Sequence, residues 1–376
     1  MQKQGFVTIF PKPQKINIEG KFTMSDKVKI GIIGVGTIGS VHANNYAKVA
    51  NAEVVALCDI LPDRLAEKAK THNVAKTYAD YNALLADPEI DAVSVCVPND
   101  MHAPIAIAAL NAGKHVMLEK PMTLSAELGK QILAARDAAG KQLQMGMVWR
   151  QNPKARLVKE VIENGRLGNI YQIRVKLIRR RGIPGLGGWF TTKAKSGGGG
   201  LIDIAVHFLD LVMYLADKWE PTKVSAKTYS KFGNPINDYH YVSMWAGPPK
   251  ADGVFDVDDY AAGFVRFGTE TTLSFEVAWA CNAEDESYVE ILGDKGGIKM
   301  DVEGDPILST EYDNRIADIV LKYDNKNENF AEELRMFCDA VQGKGEVPAT
   351  GEQGVVAMRL LDAIYKSSEL NCEVDV

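Results

Sequence analysis

The stretch VKIGIIGVGTIG, residues 28–39, constrains the fold more than any other part of the chain. An apolar run over 28–33 reads as a buried strand, and it ends in a Gly-x-Gly-x-x-Gly turn at Gly34, Gly36 and Gly39 that opens a helix near Thr37. In this context the first glycine permits a tight turn, the second lets a ligand approach the backbone, and the third lets helix and strand pack closely. The first helical N–H groups, around Thr37, Ile38 and Gly39, lack intrahelical acceptors and offer themselves to an anion such as a dinucleotide pyrophosphate. Asp59 closes the second apolar run, EVVALC, at the distance expected for an acid that accepts from the adenosine ribose hydroxyls. A carboxylate there repels a 2′-phosphate, which favours NAD over NADP. Capping the helix that starts at Pro62 is the competing role for Asp59.

From Val28 onward apolar runs alternate with helical patterns: EVVALC, then a helix from Pro62; DAVSVCV, then a helix from His102; HVML, then a helix from about Ser125; and finally LQMGMV. Strand and helix in alternation require right-handed crossovers and give a doubly wound parallel sheet covered on both faces. A helix over 153–164 follows, and the pattern then changes. YQIRVKLI, TTLSFEVAW and SYVEIL alternate apolar and polar residues at period two, and DKGG at 294–297 supplies a hairpin turn. The expected class is therefore α/β: a nucleotide-binding domain over 25–148, preceded by an arm over 1–24, and an α+β domain with a mostly antiparallel sheet over 149–376.

The 376 residues carry 43 Lys and Arg against 49 Asp and Glu, so no bulk positive field exists to attract nucleic acid or an anionic membrane. No apolar run approaches the roughly 20 residues of a membrane span, and the five cysteines have neither disulfide nor zinc spacing. A cytoplasmic protein without a metal site is expected.

Two short patterns carry chemistry. EKP, Glu119 to Pro121, follows the HVML strand, so Lys120 lies at the carboxyl edge of a parallel sheet where the nicotinamide end of a dinucleotide would rest. Asp203 and His207, in GGGGLIDIAVH, are four apart and share a helix face; an imidazole can take a hydroxyl proton at neutral pH and a carboxylate can orient it. Alone, each pattern also suits an exposed lysine and a capped helix with a core histidine. The segment 182–200 holds eight glycines among 19 residues, which suggests a mobile loop entering the site. Within or beside it, Arg181 and Trp189 are candidate substrate contacts, since an indole face packs on sugar C–H groups. Arg179 and Arg180 suit an acidic substituent or a solvated strand end. Tyr239 and His240 are candidate specificity residues.

KIGIIGVGTIGSVHANNY, VCVPNDMHAPIAIAALNAGKHVMLEKPMTLS, GGGGLIDIAVHFLD and ATGEQGVVAMRLLDAIYKSSE together resemble the glucose-fructose oxidoreductase, inositol dehydrogenase and rhizopine-catabolism (Gfo/Idh/MocA) family, from about Val28 to the C-terminus. The resemblance implies a Rossmann domain, then a domain whose open sheet forms a homo-oligomer interface, with a sugar or cyclitol bound between them. It implies that Lys120, Asp203 and His207 are catalytic, with His207 or Lys120 accepting the hydroxyl proton, that Asn99 and His102 lie near the nicotinamide ribose, His102 equally suiting a helix start, and that Pro98 and Glu119 bind the cofactor. The expected activity is NAD-dependent oxidation of a secondary ring hydroxyl, C3, of a pyranose sugar or glycoside. The alternatives are a cyclitol dehydrogenase, a glycoside hydrolase using transient NAD oxidation, and a non-catalytic NAD-binding regulator; retention of Lys120, Asp203 and His207 argues against the last.

Overall fold

The computed structural model describes residues 27–241, 244–324 and 328–376, so the arm expected over 1–24 lies outside the described residues. The first unit is a six-stranded, wholly parallel sheet of β1 (Val28–Ile33), β2 (Ala52–Cys58), β3 (Lys76–Tyr78), β4 (Ala92–Val95), β5 (His115–Glu119) and β6 (Leu143–Gly146), ordered β3-β2-β1-β4-β5-β6. Its crossovers carry helices α1 (Thr37–Tyr46), α2 (Pro62–His72), α3 (Tyr81–Leu85), α4 (His102–Asn111) and α5 (Ala126–Ala139). Every residue of β4 is buried, the pattern of a central strand covered on both faces. Too short to show a period, β3 escaped the sequence reading. Strand order reverses between β1 and β4, and such a switch point opens a crevice at the carboxyl edge. The glycine turn, the 97–102 turn and Glu119–Lys120 all leave the sheet there.

Backbone packing explains two of the three glycines. Gly34 has φ +86°, and a Cβ there would lie 2.3 Å from the Cys96 carbonyl oxygen, while a Cβ on Gly39 would lie 2.0 Å from the Gly34 carbonyl oxygen. Gly36 is different: nothing stands within 4 Å of where its Cβ would be.

The second unit is a nine-stranded sheet of β7 (Ile170–Ile178), β8 (Lys223–Tyr229), β9 (Tyr260–Phe267), β10 (Thr271–Ala278), β11 (Glu286–Gly293), β12 (Gly296–Asp301), β13 (Ile307–Tyr312), β14 (Arg315–Val320) and β15 (Val374–Asp375), ordered β14-β13-β12-β11-β7-β10-β9-β8-β15. Only the β7–β10 pairing is parallel; the others are antiparallel. Burial alternates along β10, as its period-two sequence requires, and the outward row carries ion pairs such as Lys176–Glu286. Helices α6 (Pro153–Glu163), α7 (Lys193–Ser196), α8 (Val206–Ala216), α9 (Asn329–Val341) and α10 (Gly351–Leu370) complete the described structure.

The last two helices bind the units together. Leu334, Phe337 and Cys338 of α9 join the core of β1 and α1 rather than that of the second sheet. Asn51 donates to Asp339 and Gln342, and the Met145 N–H donates to the Ala349 carbonyl. Among the described residues, one helical stretch, 193–216, is long and apolar enough to cross a membrane, but 83% of its 18-residue apolar window is buried inside the fold.

Candidate active site

The crevice fits a dinucleotide. Gly36 caps α1 with no side chain, which leaves the first amides of the helix open toward the free space beside it. Asp59, 4% exposed, sits at the end of β2. Its Oδ2 accepts from the Val35 N–H (2.9 Å) and Arg64 Nε (2.9 Å), and its Oδ1 from the Leu61 N–H (2.9 Å) and Arg64 Nη2 (2.7 Å). Burial raises its pKa, but Arg64 and the two amides outweigh burial and hold the carboxyl below the usual range. The anticipated acid is present and ionised. It is also clamped by the Arg64 guanidinium from the first turn of α2.

At the other end of the crevice, Lys120 Nζ lies 2.9 Å from both Asp203 Oδ1 and the Asp203 carbonyl oxygen. The other carboxylate oxygen of Asp203 accepts from Trp279 Nε1 at 3.1 Å. Asp203 lies in a π-helical turn, Leu201–Ala205, that runs into α8, with His207 just inside that helix. His207 Nδ1 is buried and has no hydrogen-bond partner. Burial, then the cations Lys120 and Arg179, push its pKa well below 6.5, so the ring is neutral at physiological pH. Ile38, Glu119, Lys120, Trp149, Asn152 and His207 line a single cleft of about 570 Å³.

Glu119 turns away from solvent. Its Oε1 meets His42 Nε2 at 2.9 Å and its Oε2 accepts from the Lys120 N–H at 3.2 Å; burial pushes the carboxyl up, but His42 outweighs burial and holds it below the usual range. Asn99 is a latch between the units, donating to the Ser196 carbonyl at 2.8 Å, and Pro98 begins the short turn that carries it.

Other candidate residues make contacts within the protein itself. His102 is 1% exposed and its ring nitrogens face the Pro121 and Val97 carbonyls, so it braces the ends of β4 and β5 instead of meeting a ribose. The Arg181 guanidinium is held by the Cys281 carbonyl and Asn282 and stacks over Phe232. Trp189 stacks on Phe190 with centroids 3.8 Å apart, and Phe190 meets Trp245 edge-on. His240 is exposed, with its Nδ1 3.1 Å from the Asp238 carbonyl oxygen. None of the three lines the cleft. The glycine run is close-packed, not hinged: a Cβ on Gly198 would lie 1.9 Å from Tyr365 Oη, and one on Gly199 would lie 1.7 Å from the Asp258 carbonyl oxygen. Asp258 also accepts from the N–H groups of Gly199 and Leu201 and from the Tyr365 hydroxyl, which fixes the start of the turn bearing Asp203.

The sequence reading missed Trp149, Asn152 and Trp279. A signal existed for the first two, because MVWRQN follows the sixth strand and residues leaving the carboxyl edge of a parallel sheet belong to its crevice. Trp149 packs against Phe208, the neighbour of His207, with centroids 5.3 Å apart.

Comparison with known proteins agrees with this geometry. Residues 28–147 match the family model described as "Oxidoreductase family, NAD-binding Rossmann fold", and residues 155–299 match the GFO/IDH/MocA C-terminal domain. The chain is 31% identical to D-glucoside 3-dehydrogenase of Escherichia coli (strain K12) over 362 residues, 94% of this chain and 98% of the relative. It is 29% identical to myo-inositol 2-dehydrogenase of Thermotoga maritima over 346 residues, 91% and 96% of the two chains. A levoglucosan dehydrogenase solved in complex with NADH superposes with a TM-score of 0.82 at 25% identity, covering 93% of this chain and 99% of that one. With both family models matched in order along one chain, and a relative 31% identical over nearly its whole length, the protein belongs to the GFO/IDH/MocA family and is an NAD-dependent dehydrogenase of the sugar-oxidising kind.

Proposed function

We propose that this enzyme reversibly oxidises the C3 hydroxyl of a glucosyl unit, in a sugar or glycoside, to a ketone. The observation that carries the chemistry is a neutral His207 lining the same cleft as Lys120. His207 takes the hydroxyl proton. Lys120, held by Asp203, donates to the same oxygen and stabilises its developing negative charge, and Trp279 keeps Asp203 in place. Bound NAD supplies the hydride acceptor. The D-glucoside 3-dehydrogenase relative supports the position on the ring. A screen of glucosides against inositols, followed by product analysis, tests the reading; much faster turnover of myo-inositol would move the enzyme to the cyclitol branch.

With Trp189 covered by Phe190, the aromatic wall for the sugar is Trp149. Trp149→Ala is expected to raise KM about tenfold, the worth of an aromatic contact, with NAD affinity unchanged by calorimetry and Trp149→Phe milder. Equal KM values for Trp149→Ala and wild type would remove Trp149 from the site. At the adenosine end, Asp59→Ala should weaken NAD binding and free Arg64 to meet a 2′-phosphate. Calorimetry should then show NADP binding tightened relative to NAD; an unaltered preference would show that Asp59 serves only as a cap and an Arg64 partner.

We further propose a homo-oligomer formed through the outward row of the second sheet. A cytoplasmic location suits cysteines that are all unpaired, four of them buried.

A further inference from the structure

The cleft does not end at the candidate catalytic residues. Lys48, Glu328 and Asn329 form part of its wall and equally part of the wall of a second, larger cavity of about 790 Å³. At this junction the Asn329 side-chain oxygen is buried and has no hydrogen-bond partner. Burying an amide oxygen without a donor is costly, so a donor arriving from a ligand is favoured there.

The lining says what that ligand is. The cations Lys48, Arg156 and Arg335 are set against the acids Glu160, Asp324, Glu328 and Glu332, which gives dense hydrogen-bonding capacity without net positive charge. The first turn of α9 lies in this wall, but Glu328 and Glu332 at its start repel a phosphate or nucleotide, which would need a cationic excess, whereas a neutral polyol needs donors and acceptors of both kinds. The Tyr323 ring adds an aromatic surface to the same cavity. Interleaved planar polar groups with one aromatic wall suit a sugar ring.

We propose that the second cavity is a subsite for a neutral sugar unit linked to the glucosyl unit being oxidised, so that the preferred substrates are glucosyl disaccharides or larger glycosides rather than free monosaccharides. The inference rests on the glucoside reading above and names its substrate class. Asn329 Oδ1 accepts from a sugar hydroxyl beside the linkage between the two units, and Arg156 and Tyr323 hold the outer sugar.

The test measures kcat/KM on methyl α- and β-glucosides and on maltose, cellobiose and trehalose, for wild type and for Arg156→Ala and Tyr323→Ala. At least one disaccharide should exceed the methyl glucoside of the same anomeric configuration. The ratio of the two kcat/KM values should fall about tenfold in each variant, the worth of one or two lost hydrogen bonds or a ring contact. Arg156 is exposed, so its replacement does not threaten folding. If no disaccharide exceeds its methyl glucoside, or if the ratio is the same in both variants as in wild type, the subsite is overturned while the glucoside reading stands. Absence of turnover on every glucoside would instead overturn the glucoside reading itself.

Discussion

His207→Ala is expected to lower kcat by about 10²–10⁴ at saturating NAD and substrate, the range for loss of an acid-base group, with NAD affinity retained. The imidazole is the only proposed proton acceptor in the cleft that is both neutral and without a partner, because burial, Lys120 and Arg179 hold its pKa well below 6.5. Lys120→Ala should produce a loss of similar order for a different reason. It removes the ammonium that meets the developing alkoxide and leaves Asp203 with Trp279 alone. The pH profile separates the two roles. Wild-type kcat/KM should hold steady through 6.5 and fall only at more acid pH, as His207 takes its proton; in His207→Ala that acid limb should vanish. Stability should follow the same sign. Below pH 6.5 the unfolded chain binds a proton at His207 that the folded chain resists, so stability conferred above 6.5 is lost as the pH falls toward the depressed folded value. A His207→Ala enzyme with wild-type turnover would make the histidine a structural residue and pass the proton to Lys120.

What the sequence made legible is what depends on neighbours in the chain. The glycine turn, the run of βα units, and the placing of Asp203 and His207 in one continuous helical stretch follow from local period and from the rule that parallel strands deliver their ends to one crevice. Lys120 was predictable for the same reason. Side-chain pairing across long separations was not. Asp203 meets Trp279 across 76 positions, and Asp258 reaches Gly199 across 59, and neither link leaves a periodic trace. Trp189 misled because its place beside the glycine run suggested an approach to the site, whereas the adjacent Phe190 supplies its stacking partner. The glycines themselves were ambiguous in one dimension. Gly198 and Gly199 are small because Tyr365 and Asp258 press on them, a constraint of packing that in sequence looks identical to freedom of motion.

Asp210→Ala should be the most destabilising single substitution in the second unit that spares the cleft lining, by about 3–5 kcal/mol, since it strands a buried charge. Arg150 and Asp210 are each 1% exposed on their side chains and form a two-pronged pair, Nε to Oδ2 at 2.8 Å and Nη2 to Oδ1 at 2.5 Å. The remaining nitrogen, Nη1, donates to the Pro348 carbonyl and to Gln353, and the guanidinium lies 5.0 Å from the ring centres of Tyr214 and Trp219. One arginine therefore joins the turn after β6, helix α8 and the segment leading into α10. Without Asp210 its charge keeps two neutral acceptors and two rings, too little to offset the lost hydration. The loss should reach the cleft, because Arg150 follows Trp149 directly and Asp210 lies one helical turn beyond His207. A higher KM together with a lower midpoint of urea unfolding is the expected pair of results. Replacing both partners with apolar residues of similar volume, Arg150→Met with Asp210→Leu, should recover most of the stability, since no unpaired charge remains. It should not restore KM, because the fork that sets Trp149 against α8 is gone. If the double variant unfolds as readily as Asp210→Ala, the stranded charge is not the source of the loss; if Asp210→Ala keeps both the midpoint and KM of wild type, the pair does not hold the cleft.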